Sequence, residues 1–248
     1  YYILFIIITV MLLSVFPVKM NLFTSNPKIG LININEPITS SREIVDQLDE
    51  FEKDTSIEGI LLRLNTPGGA VSPSQEIYEK VKSISENNTK PIIASMGAIA
   101  ASGGYYIAIG ADTVIANKGS LTGSIGVVMN YPIMIDFLEK YGFDYKTVKS
   151  GDFKDSGSAF RKSTIKDSLY FQDVVNNMYN QFLEVLIYER QLDYDFSLKV
   201  AKGQVYTGKQ AKELDLIDIL GTFEDSVNLM LLLTGNINKT ASLIEPEN

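Results

Sequence analysis

Residues 59–71 read GILLRLNTPGGAV, and this stretch decides the fold. Gly59 to Leu64 is a short apolar run of the kind buried in the middle of a sheet, and Asn65 to Val71 is a turn built on proline and two glycines. Pro73 to about Ile84 then reads as a helix with proline in its first turn, where the missing N–H costs nothing. The unit is therefore strand, tight turn, helix. Upstream, Lys28 to Asn33 (KIGLIN) reads as a strand, and Ser40 and Ser41 offer N-caps for a helix through Phe51. Downstream, Pro91 to Met96 (PIIASM) reads as the next strand, followed by a small-residue helix that contains Ser102, and Thr113 to Ala116 as another strand. Strands alternating with helices through short turns predict an α/β fold with a largely parallel sheet.

The pattern changes beyond Gly123. A helix is expected from Ile133 to Tyr141 and a strand from Tyr145 to Val148, followed by the polar loop KSGDFKDSGSAFRKS (149–163). A long helix is expected from Ile165 to Leu192. Its apolar residues Leu169, Val174, Met178, Phe182 and Leu186 share one face, suited to core or subunit packing. The last stretch, from Gly203 to Leu233, reads as two short helices around an extended piece at Leu216 to Ile219. Neither a repeat nor a linker between two folded domains is visible.

Composition excludes whole classes of chemistry. The 248 residues are 45% hydrophobic, enough for a sizeable core. A formal charge of −8 and the absence of a basic cluster argue against nucleic acid as a partner. The chain has no Cys and no His. Disulfides, thiolate nucleophiles, imidazole metal sites and Ser-His-Asp triads are therefore impossible. No spacing supports a metal site, and no cofactor motif is present: the glycines fit neither the phosphate-loop nor the dinucleotide pattern.

Residues 1–18, YYILFIIITVMLLSVFPV, carry no charge, and as a helix would span roughly 27 Å, near the thickness of a bilayer core. They read as a transmembrane anchor, with a cleaved signal peptide as the other reading, followed by a linker at 19–27.

Three glycine-rich stretches follow strands: NTPGG (65–69), ASGG (101–104) and GSLTGSIG (119–126). In parallel sheets the carboxyl ends of strands form the site, so all three stretches can meet at one crevice. Ser102 opens a helix after a strand, where the Gly103 N–H faces a developing oxyanion, and Gly69 lets a second N–H approach the same oxygen. Close helix–sheet packing explains ASGG equally well. A serine nucleophile also needs a base. Without histidine the best remaining candidate is a lysine held neutral by burial away from carboxylates, although any one lysine is more readily a solvated surface group, and the residues alone do not choose which.

NTPGG, AASGGYYIA, GSLTGSIGV and SGDFKDSGSAFR, in this order and spacing, together with the closing YTGKQAKELDLID, resemble the signal peptide peptidase A family over Lys28 to Gly221. The resemblance implies the α/β fold shared by the Clp protease and crotonase groups, built of repeated strand-strand-helix units and here following an N-terminal transmembrane helix. It implies a peptidase domain at 28–235 and a C-terminal tail at 236–248. In the implied dyad Ser102 is the nucleophile and Lys154 the general base, with Ser124 orienting the base amine and Gly69 and Gly103 forming the oxyanion hole.

The resemblance also implies a homo-oligomeric ring in which the serine of one subunit meets the lysine of its neighbour. Its substrates would be remnant signal peptides and other extended apolar segments, cut at the cell membrane by a single-pass protein with its catalytic domain on the extracytoplasmic side. Two positions depart from the family pattern: Ala159 replaces a proline, and Asp215 a glycine. A catalytically silent peptide-binding or scaffold relative, and a crotonase-fold acyl-CoA enzyme, are the competing readings.

Overall fold

In the computed structural model, which describes residues 26–246, Lys28–Ile34 forms β1 and the run at 59–64 lies within β2 (Ile57–Thr66). Parallel neighbours need a crossover, and helices supply it. α1 (Arg42–Lys53) connects β1 to β2, and α2 (Val71–Glu86) connects β2 to β3 (Ile92–Ala101). α3 (Gly103–Ala108), β4 (Thr113–Ala116), β5 (Leu121–Gly123) and α4 (Ile135–Lys140) follow. After them come α5 (Ile165–Arg190), α6 (Tyr194–Val200), β6 (Val205–Thr207), α7 (Gly208–Glu213), β7 (Ile219–Leu220), α8 (Phe223–Leu233) and β8 (Ser242–Ile244). The sheet runs β6-β5-β3-β2-β1-β8, with β4 paired to β3 and β7, and all its pairings are parallel except β5 with β6.

The apolar run is continuous because both faces of β2 are covered. Ile60, Leu62 and Leu64 join the larger core beneath α1, α2, α3 and the second half of α5, where Leu48, Ile77, Val81, Tyr105 and Leu186 are buried. Leu61 points the other way, into a smaller core with Leu31, Ile93 and Met230 of α8. Arg63, the one charge in the run, also takes this second face. It donates to Ser95 Oγ (3.0 Å) and the Met96 carbonyl (3.1 Å) and stacks on Phe223.

β3 changes partners halfway. Ile93–Met96 pair with β4, and Ile99–Ala101 pair with β5. At the changeover side chains replace ladder bonds: Asn65 Oδ1 accepts from the Ala98 and Ile99 N–H groups, and Ser120 Oγ donates to the Gly97 carbonyl. This split brings the glycine-rich segment after β5 alongside the end of β3.

Several expectations change. The strand foreseen at Pro91–Met96 continues to Ala101, so Ser102 precedes α3 instead of lying inside it. Small residues 97–101 favour a helix locally, but pairing on both edges makes them a strand. Tyr145–Val148 forms no strand: no neighbour offers a ladder, and Tyr145 and Val148 stay exposed. The helix at 133–141 shrinks to Ile135–Lys140. On α5, Phe182 and Leu186 are buried as expected, whereas Leu169 is 66% exposed. Residues 242–244 of the segment read as a tail add β8 to the sheet beside β1. The anchor at 1–18 lies outside the described residues, as does most of the linker. Among the described residues no helix is long and apolar enough to cross a membrane.

Candidate active site

Ser102 sits at the sharp corner between β3 and α3, with φ 53° and ψ −120°. This backbone region is disfavoured for any residue with a Cβ, and such strain is found where surrounding structure over-determines it. Here three contacts do so. The Ser102 N–H donates to the Gly123 carbonyl (2.8 Å), and the Ser102 carbonyl accepts from Tyr106 N–H (2.9 Å). The fully buried Tyr105 ties α3 down by donating from its hydroxyl to the Leu216 carbonyl (2.8 Å). Burial pushes the Tyr105 phenol well above its ordinary range, so it remains a donor.

The PGG turn comes up against this corner. Ile38 N–H donates to the Gly68 carbonyl (2.9 Å) and Ala70 N–H to the Ile38 carbonyl (2.7 Å), a one-rung parallel bridge that fixes Gly69 between them. A Cβ on Gly69 would lie 2.5 Å from Ile38 N and 2.6 Å from its carbonyl carbon, so only glycine fits. A Cβ built on Gly103 would stand 3.3 Å from the Gly69 nitrogen, which makes the two amides neighbours. Among the described residues neither N–H donates a hydrogen bond. Two free amides beside a serine side chain are what an oxyanion hole requires.

Ser124 enters from the third glycine stretch, also at positive φ (52°), its N–H donating to the Gln204 carbonyl (2.8 Å). Ser102, Ser124 and Gly69 line one cleft of about 540 Å³, walled by apolar residues including Val71, Ile125, Val127, Val175 and Tyr179. A narrower recess of about 30 Å³ continues from Ser102 and Gly103 towards Tyr106, Met178 and Phe182. Lys202 is the one charged residue lining the cleft among those described, and no carboxylate lies within 4 Å of its amine.

Lys154 is elsewhere. It is exposed, on a run of turns at 151–157, and does not line the cleft of its own chain. That segment is held by Asp167 at the third position of α5. The nearly fully buried carboxylate receives both terminal Arg161 guanidinium nitrogens (2.6 and 2.8 Å), the Ser156 hydroxyl (2.6 Å) and the N–H and hydroxyl of Thr164 (2.8 and 2.7 Å). These donors hold the Asp167 carboxyl far below the usual carboxylate range, Arg161 foremost. Of the two departures, Asp215 keeps the left-handed turn (φ 55°), and the Ala159 carbonyl accepts from Met134 N–H (2.7 Å). The structure thus gathers Ser102, Ser124, Gly69 and Gly103 and sets Lys154 apart. Sequence reasoning missed Lys202, Arg161 and Asp167. Only the last had a signal, the spacing Thr164-x-x-Asp167 of a capping box.

The profile of peptidase family S49 matches residues 85–235, more than half of the chain, and that of Clp protease matches residues 22–119. The candidate protease MJ0651 of Methanocaldococcus jannaschii is 36% identical over 75% of this chain and 60% of its own length. The candidate protease slr0021 of Synechocystis is 37% identical over 86% of this chain and 76% of its own length. The candidate signal peptide peptidase SppA of Enterococcus faecium is 33% identical, with the match taking 82% of this chain and 63% of its own length. The chain therefore spans between 60% and 76% of the length of these relatives. A profile match over most of the folded region and a relative shared over three-quarters of its length lead to one conclusion: the chain belongs to peptidase family S49, with the signal peptide peptidase A proteins.

Proposed function

We propose that this protein is a serine endopeptidase with a Ser-Lys dyad completed between copies of the chain, anchored in a membrane by residues 1–18 with its catalytic domain on the extracytoplasmic side. The observation that carries the reading is the convergence of Ser102, Ser124 and two free amides on an apolar-walled cleft that lacks the Lys154 base of its own chain. The neutral amine of Lys154 from a neighbouring copy takes the Ser102 proton, oriented by the Ser124 hydroxyl. Ser102 Oγ adds to the substrate carbonyl, and the oxyanion accepts from the Gly69 and Gly103 N–H groups. The lysine ammonium then protonates the leaving amine, and water hydrolyses the acyl-serine by the same route in reverse order.

Two features support copies as partners and extended apolar peptides, such as remnant signal peptides, as substrates. Val128, Phe143, Val148, Ile165 and Leu169 are exposed on the segment that carries Lys154, an apolar surface suited to burial between subunits. Leu121–Ile125 is held on one side by residues 203–207, and the chain from Ser124 to Val128 lines the cleft, where an extended chain can add alongside it.

The test is complementation. Ser102→Ala and Lys154→Ala each abolish cleavage of a synthetic signal peptide, and mixing the two inactive proteins under subunit exchange restores part of it. Near-normal activity in either single variant would sink the dyad, and no recovery on mixing would sink its intersubunit form.

A further inference from the structure

Lys154 stands between two acids of its own loop, Asp152 and Asp155, yet its amine lies within 4 Å of no carboxylate among the described residues. An amine that must be neutral to act gains from this, because a nearby carboxylate favours the protonated form. The neighbouring charges explain how the isolation is kept. Asp155 Oδ1 accepts from Lys149 Nζ (2.7 Å) and Arg161 Nη2 (3.0 Å), and Asp152 faces Lys166 at the start of α5 (3.8 Å). From the other elements around the loop, Asp144 faces Lys146 (3.8 Å), Asp136 of α4 faces Lys162 (2.8 Å), and Asp167 is saturated by Arg161. Tyr170 of α5 packs its ring against Phe153 (5.1 Å between centroids). Between Asp136 and Asp167 every acid except Glu139 already has a cation, and that cation is never Lys154.

Asp155 is the decisive neighbour because it directly follows Lys154 and is pinned in two ways. Arg161 reaches it while anchored bidentate on the buried Asp167, and Lys149 closes the other side while also donating to the Asp152 carbonyl (2.9 Å). Hydrogen bonds from Arg161 and then Lys149 hold the Asp155 carboxyl below its ordinary range, so it stays ionised and occupied.

We propose that Arg161 and Lys149 are positioning residues that keep Asp155 engaged, so that the Lys154 amine is presented to the neighbouring cleft without a carboxylate partner. The proposal rests on Lys154 being the general base. Arg161 does not touch the substrate; it acts through Asp155 and through the rigidity that Asp167 gives the loop.

The experiment is the pH dependence of kcat/KM for cleavage of a synthetic apolar peptide by the assembled full-length chain. In Arg161→Gln the released Asp155 pairs with Lys154, and the acid limb of the profile moves to higher pH by about 0.5–1 unit, at or just below the smallest effect of a close opposite charge because the pair is solvent-screened. Adding Asp155→Asn to that variant returns the limb to the parent position, which repair of a merely structural defect would not do. Lys149→Gln, which leaves the Asp167 anchor intact, moves the limb in the same direction by less, and it decides the matter if Arg161→Gln does not fold. An unmoved limb in the folded variants, or a shift that Asp155→Asn does not reverse, overturns the proposal. Activity surviving Lys154→Ala would overturn the dyad itself, whereas a dead Lys154→Ala with coincident limbs refutes only the role of Arg161 and Lys149.

Discussion

Replacing Gly69 by alanine tests the proposed oxyanion hole without touching a reacting side chain. The added methyl would begin 2.5 Å from Ile38 N and 2.6 Å from its carbonyl carbon, and both obstacles are backbone. Restoring ordinary contact, near 3.4 Å, needs about 1 Å of relative movement between the buried Ile38 and the 66–70 turn, which carries the Gly69 amide out of place. A displacement of that size costs on the order of 10²-fold in a positioned reaction, and loss of one oxyanion donor costs about 10²–10³, or roughly 3–4 kcal/mol. The bonds from Ile38 N–H to Gly68 and from Ala70 N–H to Ile38 are strained with it, at about 1 kcal/mol each. Steady-state cleavage of a fluorogenic apolar peptide should show kcat down at least hundredfold with KM within about threefold, because the donor acts on the transition state. Gly119→Ala, with open space around its Cβ, is the control and keeps parental kinetics. A folded Gly69→Ala protein with kcat within threefold of the parent refutes the assignment of this amide.

Two stability measurements bear on the same corner. Ser102→Gly relieves a backbone conformation that costs of order 1–3 kcal/mol, against about 0.5–1 kcal/mol of added freedom in the unfolded chain. It should be inactive yet about 1 kcal/mol more stable than the parent in urea, while Ser102→Ala is inactive with no such gain; equal midpoints for the two would show that the corner is unstrained. Tyr105→Phe leaves the buried Leu216 carbonyl without its donor and should lower stability by about 1–3 kcal/mol, read as a fall of about 2–4 °C in Tm per kcal/mol. An unchanged Tm would mean that the hydroxyl contributes nothing to holding α3.

The parallel sheet was legible because its central strands are buried on two faces. GILLRL and TVIA carry runs of apolar residues that few other environments accept, and PGG marks the turn from the first of them into its helix. Ser102, Gly69 and Gly103 were legible as candidates for a related reason: sharp corners at strand ends need glycine, and the glycines point to the side chain between them, whereas Ser124 and Lys154 came only from the family resemblance. The partner change within β3 was not legible, since Gly97 to Ala101 carries no local preference for strand and its pairing depends on Asn65 and Ser120, far away in sequence. β6 and β8 are three residues each and hold only through their neighbours. Tyr145 to Val148 looked like a strand because alternation is a local property, whereas a ladder requires a partner. The clamp on Asp155 escaped because opposite charges six residues apart, as in Asp155 and Arg161, specify no geometry outside a helix.

The clasp of Ser124 by Gln204 has a consequence in time. The first three strands and their helices can pair in the order in which they are synthesised, yet the corner at Ser102 is completed only by partners about a hundred residues later, Gln204 behind Ser124 and Leu216 behind Tyr105. At about 5–20 residues per second, the ribosome adds Gln204 about 5–20 s after Ser102. Throughout that interval the nascent chain carries Ser102 without a finished corner, so on the proposed mechanism the cleft cannot act until the chain is nearly complete.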